Sequence, residues 1–334
     1  MSARFLARAS SVAVAVAVAV SACISTEHPE PFVFPPSFDD ADASLPPDAD
    51  VPPRPDAGLP PDAVRIASLN VHLFFDTVCQ SGRCAPGDFE QQPTEAAFEA
   101  RADQIAQGLR ALNPSIVLLQ EIETRASLDA LKSRLGDILP SSVMSSVGGP
   151  GSVNTAVLAQ GALLEFHLHT DRLTRPDGTA TSFTRALVEV HVSLDGARVI
   201  VFDAHFRSKS NDDPGRRLAE AQASGQIISA AAAKFPDALV VFGGDLNDEP
   251  GSPPMDALEA NPQLWRVEQV LPLAQQVTYP RWGSRLDHLF QQTAAAGAFL
   301  PGQVRVTCDS PRGYAGSDHC AISADFALPT VQAR

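Results

Sequence analysis

The sequence is short of positive charge, of large polar aromatic side chains and of long apolar runs. Its 334 residues contain 25 Lys and Arg against 39 Asp and Glu, which gives a formal net charge of −14. This balance lacks the basic footprint of a protein that holds nucleic acid by its own cations, although bound divalent metal could supply positive charge. Two Trp and two Tyr offer few platforms for stacking bases. Any nucleic-acid contact is therefore expected to be to the backbone and to tolerate many base sequences.

No apolar run reaches the ~20 residues that a membrane-spanning helix needs. The N-terminal run SVAVAVAVAV follows Arg4 and Arg8 and is typical of a secretory signal peptide, with a β-prone tail as the alternative. It ends in VSAC at 20–23, which resembles a bacterial lipobox. That resemblance implies that residues 1–22 are removed and that Cys23 is lipidated; a plain thiol is the other possibility. The sequence thus predicts an exported protein, either anchored to the bacterial cell envelope by its lipid or extracellular.

The region after this signal differs in composition from the rest of the chain. Residues 23–62 are rich in proline, aspartate and alanine, as in SLPPDADVPPRPDAGLPPDA. Such a segment buries too little apolar surface to offset its ordering entropy, and proline stiffens it toward extended chain. We predict a disordered tether over 23–62, one globular domain over 63–329 and a short tail at 330–334.

The four remaining cysteines follow the export signal, so they belong to a compartment in which disulfides persist. Three pairings are possible. We favour Cys79 with Cys84 and Cys308 with Cys320, because both pairs are local in sequence. A zinc site is the rival interpretation, but neither spacing is C-x2-C.

Short β-branched apolar runs recur along the domain and are typical of strands buried on both faces. They are VRIASLNV (64–71), SIVLLQE (115–121), ARVIVFDAH (197–205), ALVVFGGD (238–245), RLDHLF (285–290) and CAISADFAL (320–328). Helical patterns lie between them at 94–113, 126–139 and 215–234. Strands and helices therefore alternate, which indicates α/β layers with helices outside sheets.

Polar side chains are found at the end of nearly every one of these runs. They are Asn70, Glu121, His205, Asp245, Asn247, Asp287, Asp318 and His319. Each alone could belong to a turn or a cap. Packing does not require the same polarity at successive strand ends, so the set as a whole indicates a site built on rigid elements.

These segments resemble the metal-dependent endonuclease/exonuclease/phosphatase superfamily, typified by pancreatic deoxyribonuclease. The matching stretches are RIASLNVHLFF, IVLLQEIE, VFDAHFRSKS, VVFGGDLNDEP, RLDHLF and GSDHCAISADF, in the family's order over residues 64–327. The resemblance implies an α/β fold of four layers, an α/β/β/α sandwich with two central mixed β-sheets packed face to face and helices outside. It also implies phosphoester hydrolysis with a divalent cation.

The family pattern implies a metal site and names its ligands. Glu121 is the first choice as ligand, assisted by Asn70 and Asp318. Carboxylate and amide oxygens suit a hard cation that neutralises and orients a phosphate. Magnesium is the expected ion, with manganese or calcium as alternatives.

The same pattern implies a role for each catalytic residue. Asp245 aligns or deprotonates the attacking water, and Asn247 donates to a phosphate oxygen. Asp287 fixes and charges the ring of His319, which then stabilises the transition state. His205 contacts the phosphate or protonates the leaving oxygen.

The resemblance specifies the reaction more firmly than the substrate. A secreted or surface-anchored nuclease is favoured by the export signal and by HFRSKS, which resembles segments of extracellular bacterial nucleases. Arg207, Lys209 and Arg216 would contact phosphates flanking the cut, or would be solvated loop charges. A sphingomyelinase-like or phospholipase C-like enzyme is the alternative, and a non-enzymatic surface lipoprotein is third. Nucleic acid is the expected partner, together with a membrane through the lipid anchor, and no obligate protein partner is inferred.

Overall fold

The computed structural model describes residues 59–60 and 62–330. The predicted signal peptide (1–22), Cys23 and nearly all of the tether (23–62) lie outside the described residues, as do 331–334 of the tail. The predictions for these segments therefore remain predictions. Within the described ranges, no helix combines the length and apolarity needed to cross a membrane.

The described residues form fifteen strands, most of them short. In chain order they are β1 (Ala63–Phe74), β2 (Ile116–Ile122), β3 (Ser141–Met144), β4 (Asn154–Ala159), β5 (Ala162–His169), β6 (Arg172–Thr174), β7 (Ala180–Ser182), β8 (Leu187–Leu194), β9 (Ala197–His205), β10 (Leu239–Asp245), β11 (Leu264–Arg266), β12 (Asp287–Gln292), β13 (Ala298–Phe299), β14 (Arg305–Thr307) and β15 (Ala321–Ala327).

Four α-helices connect the strands in the described part of the chain, and three of them begin at a side-chain cap. They are α1 (Glu95–Leu112), α2 (Arg125–Leu135), α3 (Pro214–Lys234) and α4 (Pro253–Glu259), with 3₁₀ turns at Val267–Val270, Leu273–Gln275, Pro280–Trp282 and Pro301–Gln303. Thr94, Thr124 and Asp213 accept hydrogen bonds from the first turns of α1, α2 and α3. Ser252 precedes the proline that starts α4, but its side chain makes no cap hydrogen bond.

Two large mixed sheets carry the fold. The first has the order β13-β15-β1-β2-β4-β3, with β14 also on β15, and the second has the order β11-β12-β10-β9-β8-β5. β1 and β2 pair in parallel, as do β9 and β10, and the other pairs in these sheets are antiparallel. β6 and β7 form a separate two-stranded ribbon.

Alternation along the central strands gives each sheet two buried faces. On β2, Leu118 packs into the core between the sheets, whereas Leu119 packs beneath α1 and α2. On β9, Val201 faces the same central core, whereas Phe202 packs beneath α3 and α4. The result is the predicted α/β/β/α sandwich, and it explains why the strands are continuous apolar runs.

The two sequence-local cysteine pairs are the ones that form. Cys79–Cys84 closes a loop after β1, and Cys308–Cys320 joins the segment after β14 to the start of β15. The second bridge ends beside His319 and therefore braces the loop that carries Asp318 and His319. Because both pairs are disulfides, neither provides the cysteine ligands of the rival zinc site.

Candidate active site

Three of the predicted catalytic residues lie side by side in the second sheet. Asp245, at the end of β10, is directly opposite His205 on β9 and Asp287 on β12. Residues at one register position in adjacent strands point to the same face, so these side chains share one edge of the sandwich. All three are buried.

The first sheet contributes Glu121 through an irregularity in β2. At this residue β2 shifts register against both of its neighbours, β1 and β4. The backbone of Glu121 adopts the left-handed region, with φ 67°. A left-handed non-glycine residue is costly and persists only where its surroundings fix it. Here the Glu121 carboxylate accepts hydrogen bonds from Leu73 N at 2.8 Å and from Asn70 Nδ2 at 3.2 Å. The bulge therefore turns a strand residue into a fixed acid at the strand end.

Asn70 joins the two sheets at this edge. Its Nδ2 donates to Glu121 and also to Asp245 Oδ2, at 3.0 Å. His205 Nε2 lies 3.5 Å from the same Asp245 oxygen and 3.9 Å from Glu121 Oε1. The predicted residues Asn70, Glu121, His205 and Asp245 therefore form a single cluster between the sheets.

His319 approaches this cluster from the loop before β15. Its Nδ1 is 2.8 Å from Asp287 Oδ2, and its Nε2 is 3.9 Å from Asp245 Oδ2. The ring is placed by Ser317, whose hydroxyl accepts from His319 N and donates to the carbonyl of Asn70. The predicted pairing of Asp287 with His319 is present in the structure, with Nδ1 held by the carboxylate and Nε2 directed at the cluster.

Burial and neighbouring charge set the protonation of these groups. Burial raises the pKa of Asp245 to about 7, against the opposing charge of His319. Burial lowers the pKa of His319, but the carboxylates of Asp287, Asp245 and Asp318 outweigh it and raise the value to about 10. Burial and then the charge of Arg185 hold the pKa of His205 well below its ordinary value. Near neutral pH the cluster thus contains a cationic His319, a neutral His205 and an Asp245 that can exchange a proton.

Asp318 faces His72 rather than the Asp245 side of the cluster. Its Oδ1 lies 3.1 Å from His72 Nδ1. Burial raises the pKa of Asp318, but hydrogen bonding and charge from His72 outweigh it and lower the value to about 2. Burial lowers the pKa of His72, but hydrogen bonding and charge from Asp318, with a smaller contribution from the charge of Glu121, outweigh it and raise the value. The pKa shift of Asp318 leaves it an anion at any pH at which the protein would work.

The donor set fits a hard divalent cation. Glu121, Asp245 and Asp318 offer carboxylate oxygens. Glu121 and Asp318 remain partly open to solvent, whereas Asp245 is buried. Asn70 directs its amide nitrogen at the acids, while its Oδ1 accepts from His72 N, so as a ligand it would use that oxygen. Glu121, Asn70 and Asp318 remain the predicted metal ligands.

The other predicted residues differ in how they relate to the cluster. Asn247 adopts φ 54° and donates its Nδ2 to Phe206 O at 3.2 Å, so its amide is held beside the end of β9. Arg207 and Lys209 lie on the loop after β9, where Lys209 Nζ is 3.0 Å from Asp248 Oδ1. Arg216 donates to the carbonyls of Ser182 and Phe183. Arg216 is therefore engaged in holding a neighbouring loop, which disfavours its predicted phosphate contact.

Sequence reasoning left two buried features unassigned. Arg185 donates to Val153 O at 3.2 Å, and burial lowers its pKa against the charges of Glu121 and Asp245. Gln120 donates to Asp203 Oδ1 at 2.7 Å inside the sandwich. A cation just before an apolar strand is a weak signal for Arg185. Asp203 could have been noticed as a charge within the buried run ARVIVFDAH.

Solved structures share this architecture at low identity. A TDP2 structure from C. elegans is 18% identical, with a TM-score of 0.57 over 81% of this chain and 76% of that one. The human Nocturnin catalytic domain with bound sulfate is 17% identical, with a TM-score of 0.57 over 79% and 94%. A D. rerio TDP2 complexed with a single-strand DNA product is 20% identical, with a TM-score of 0.55 over 79% and 98%. These likenesses show the fold.

A search of curated proteins gave no match to this chain. The model of the Endonuclease/Exonuclease/phosphatase family, in contrast, matches residues 67–319. That match spans the domain from β1 to His319 and includes every residue of the cluster. Members of this family are hydrolases of phosphoester bonds that generally use divalent metals. The chain belongs to the Endonuclease/Exonuclease/phosphatase family.

Proposed function

We propose that the chain is a divalent-metal-dependent phosphodiester hydrolase, and specifically a sequence-tolerant nuclease. One observation carries the proposal: Asn70 Nδ2 donates to both Glu121 and Asp245, and so joins the acid of one sheet to the catalytic edge of the other. Acids brought together in this way can hold a cation and accept a proton from water. The two histidines beside them, one cationic and one neutral, can contact the oxygens of an anionic phosphate.

A cation held by Glu121, with Asn70 and Asp318, would neutralise phosphate charge. Side chains of the protein carry out the other roles in the reaction. Asp245, whose pKa is about 7, accepts a proton from the attacking water near neutral pH. His319 stays cationic up to about pH 10 and stabilises the charge that develops on the phosphorus oxygens.

His205 and Asn247 complete the phosphate contacts. The lowered pKa of His205 keeps its ring neutral, which favours hydrogen bonding to a phosphate oxygen over protonation of the leaving group. Asn247 is fixed beside it by the bond to Phe206 O. Arg207 and Lys209, on the loop that follows His205, are proposed to reach phosphates beyond the scissile one.

An exposed aromatic ring at the rim of the site favours nucleic acid as substrate. Trp282 is 71% exposed and packs against Tyr279 with ring centroids 5.1 Å apart. Tyr279 in turn packs edge-on to His319 at 4.9 Å. A base beside the scissile phosphate could stack on Trp282, and such stacking tolerates any sequence. The neighbouring D. rerio TDP2 is complexed with a single-strand DNA product, which supports the same substrate class.

The substrate is tested by incubating the full chain and a Trp282→Ala variant with plasmid, RNA and sphingomyelin vesicles in magnesium. We expect the wild type to cleave nucleic acid. In Trp282→Ala, kcat/KM should fall several-fold because KM rises. Asp245→Asn should abolish cleavage, and Asp256→Asn, an exposed site on α4, should not. Turnover of sphingomyelin without cleavage of plasmid or RNA would overturn the nuclease assignment in favour of the lipid-directed alternative.

We also propose that the protein is exported and anchored through Cys23. The two disulfides support an oxidising compartment. Mass spectrometry of the N-terminal peptide from the membrane fraction tests this proposal. An unmodified Cys23 in a chain that still carries residues 1–22 would contradict it.

A further inference from the structure

A second group of acids lies where the Cys79–Cys84 loop meets the end of β2. Asp76, Glu90 and Glu123 are each at most 5% exposed. Their hydrogen-bond donors are backbone amides, the Gln80 amide and nearby hydroxyls. Asp76 N donates to Glu123 Oε2 at 2.7 Å, while Gln80 N and Ser81 N donate to the two oxygens of Glu90 at 2.5 and 2.7 Å. The hydrogen bonds that these acids accept therefore come from neutral groups and not from basic side chains.

A chain of hydrogen bonds links these acids. Gln80 donates its backbone N to Glu90 and its Nε2 to Asp76, and Asp76 N donates to Glu123. Glu90 also lies against Gly151, where a Cβ would come within 2.3 Å of Glu90 Oε2. Carboxyl groups gathered out of water need either protons or a cation between them.

Three side-chain oxygens in this region have no hydrogen-bond partner. They are Gln80 Oε1, Glu123 Oε1 and Asn154 Oδ1, and all three atoms are buried. Their residues line one surface cavity of about 430 Å³, together with Gly151. Buried acceptors without partners are rare in folded proteins, so three on one cavity require an explanation.

Hydrogen bonds fix the orientation of both amides. Gln80 Nε2 donates to the two oxygens of Asp76 at 3.1 Å, and Asn154 Nδ2 donates to Glu123 O at 2.9 Å. Each amide nitrogen therefore donates a hydrogen bond within the protein, and each amide oxygen is left without a partner. Both amide oxygens are thus unpaired acceptors on residues that line the same cavity.

We propose that the oxygens of Gln80, Glu90, Glu123 and Asn154 bind a calcium ion. The donors are all hard oxygens from carboxylates and amides, which calcium prefers, and the cavity leaves room for water to complete six to eight ligands. Magnesium is disfavoured, because it requires a near-ideal octahedron and gives up its water reluctantly. Among the described residues, Arg125 also lines the cavity, but its guanidinium is paired with Asp129. An ion here would therefore offset acids that accept no hydrogen bond from a basic side chain.

The calcium ion would brace the ends of β1 and β2. Glu123 N donates to Phe74 O at 3.2 Å, and Glu123 follows Glu121 by two residues. This role is structural and does not depend on the proposed hydrolysis. Its expected signature is a calcium-dependent rise in the stability of the whole domain.

Calorimetric titration of the chelator-treated full chain with calcium tests the site, alongside thermal unfolding. We compare the wild type with Glu121→Gln, which removes the predicted active-site ligand. The calcium isotherm and a rise in Tm of about 5 °C at saturation should survive in Glu121→Gln. Glu90→Gln should weaken calcium binding at least tenfold, whereas Glu95→Gln, an exposed site on α1, should leave it unchanged.

The wild type and Glu121→Gln decide the question even if Glu90→Gln fails to fold. The absence of calcium heat and of any Tm shift in the wild type would overturn the proposal, and protonation would then explain how these acids are tolerated out of water. Loss of the whole calcium effect in Glu121→Gln would also overturn it, since the ion would then bind at the active site. A full calcium effect in folded Glu90→Gln would do the same.

Discussion

Two acidic clusters lie near the ends of β1 and β2, and they are balanced in different ways. The first, around Asp245, contains protein cations: His319 is 2.8 Å from Asp287, and the charges of Glu121 and Asp245 help to offset the effect of burial on the pKa of Arg185. The second, around Glu90 and Glu123, accepts hydrogen bonds from backbone and amide N–H groups and leaves three oxygens without a partner. The first arrangement suits proton transfer and a changing charge, whereas the second suits a stationary ion.

The largest effect is expected from removing the proton acceptor of the first cluster. Asp245→Asn keeps the size of the side chain but cannot accept a proton, so turnover should fall about 10³-fold or more. Hydrolysis of a chromogenic phosphodiester measures this, and circular dichroism checks the fold. Asp256→Asn is the matched control. If Asp245→Asn retained more than a tenth of the wild-type turnover, Asp245 would not be the base.

A smaller effect concerns the charge on His319. The Asp287 carboxylate helps to hold the pKa of His319 at about 10, against burial, so the ring is charged throughout the neutral range. In Asp287→Asn burial should dominate, and the alkaline limb of kcat/KM should move to lower pH by at least one unit. A profile from pH 6 to 10 measures the shift. An unmoved alkaline limb would show that Asp287 does not set this charge.

The two disulfides brace one cluster each and allow a direct comparison. Removing Cys308–Cys320 as a double serine variant should reduce turnover several-fold and cost about 3 kcal/mol of unfolding free energy, because that bridge ends beside His319. Removing Cys79–Cys84 should weaken the calcium effect more than it weakens turnover. Urea unfolding and steady-state kinetics on both variants check this. Equal losses of turnover in the two variants would remove the distinction.

The smallest effect is expected at Asp203, which is buried between the sheets. Burial raises its pKa well above the ordinary value, despite the hydrogen bond from Gln120. The folded state therefore holds a proton that the unfolded chain loses above its own pKa, and stability is lost as pH rises. Asp203→Asn cannot ionise, so its Tm relative to wild type should be a few degrees higher at pH 8 than at pH 4. An equal difference at both values would contradict the buried proton.

The sequence predicted the sheet layers and the strands that carry the cluster because their residues are apolar on both faces. It did not predict β3, β4, β6, β7 or β8, which are short, peripheral or mixed in polarity. Nor did it predict that β1 continues to Phe74, since that depends on left-handed backbone at His72 and Leu73. The cluster residues were found because each is a polar end to an apolar run. Arg185 was left unassigned and the second acidic cluster was not found, because both depend on loops that meet only in three dimensions.

The central claim is that a divalent cation held by Glu121 enables this edge of the sandwich to cleave phosphodiesters. The most direct measurement is plasmid cleavage by the full chain after chelator treatment, before and after magnesium is returned, for the wild type and Glu121→Gln. The account predicts no cleavage without the ion, recovery of the wild type with magnesium, and a loss of about 10³-fold in Glu121→Gln that magnesium does not restore. Undiminished cleavage in chelator, or a Glu121→Gln variant as active as the wild type, would contradict it.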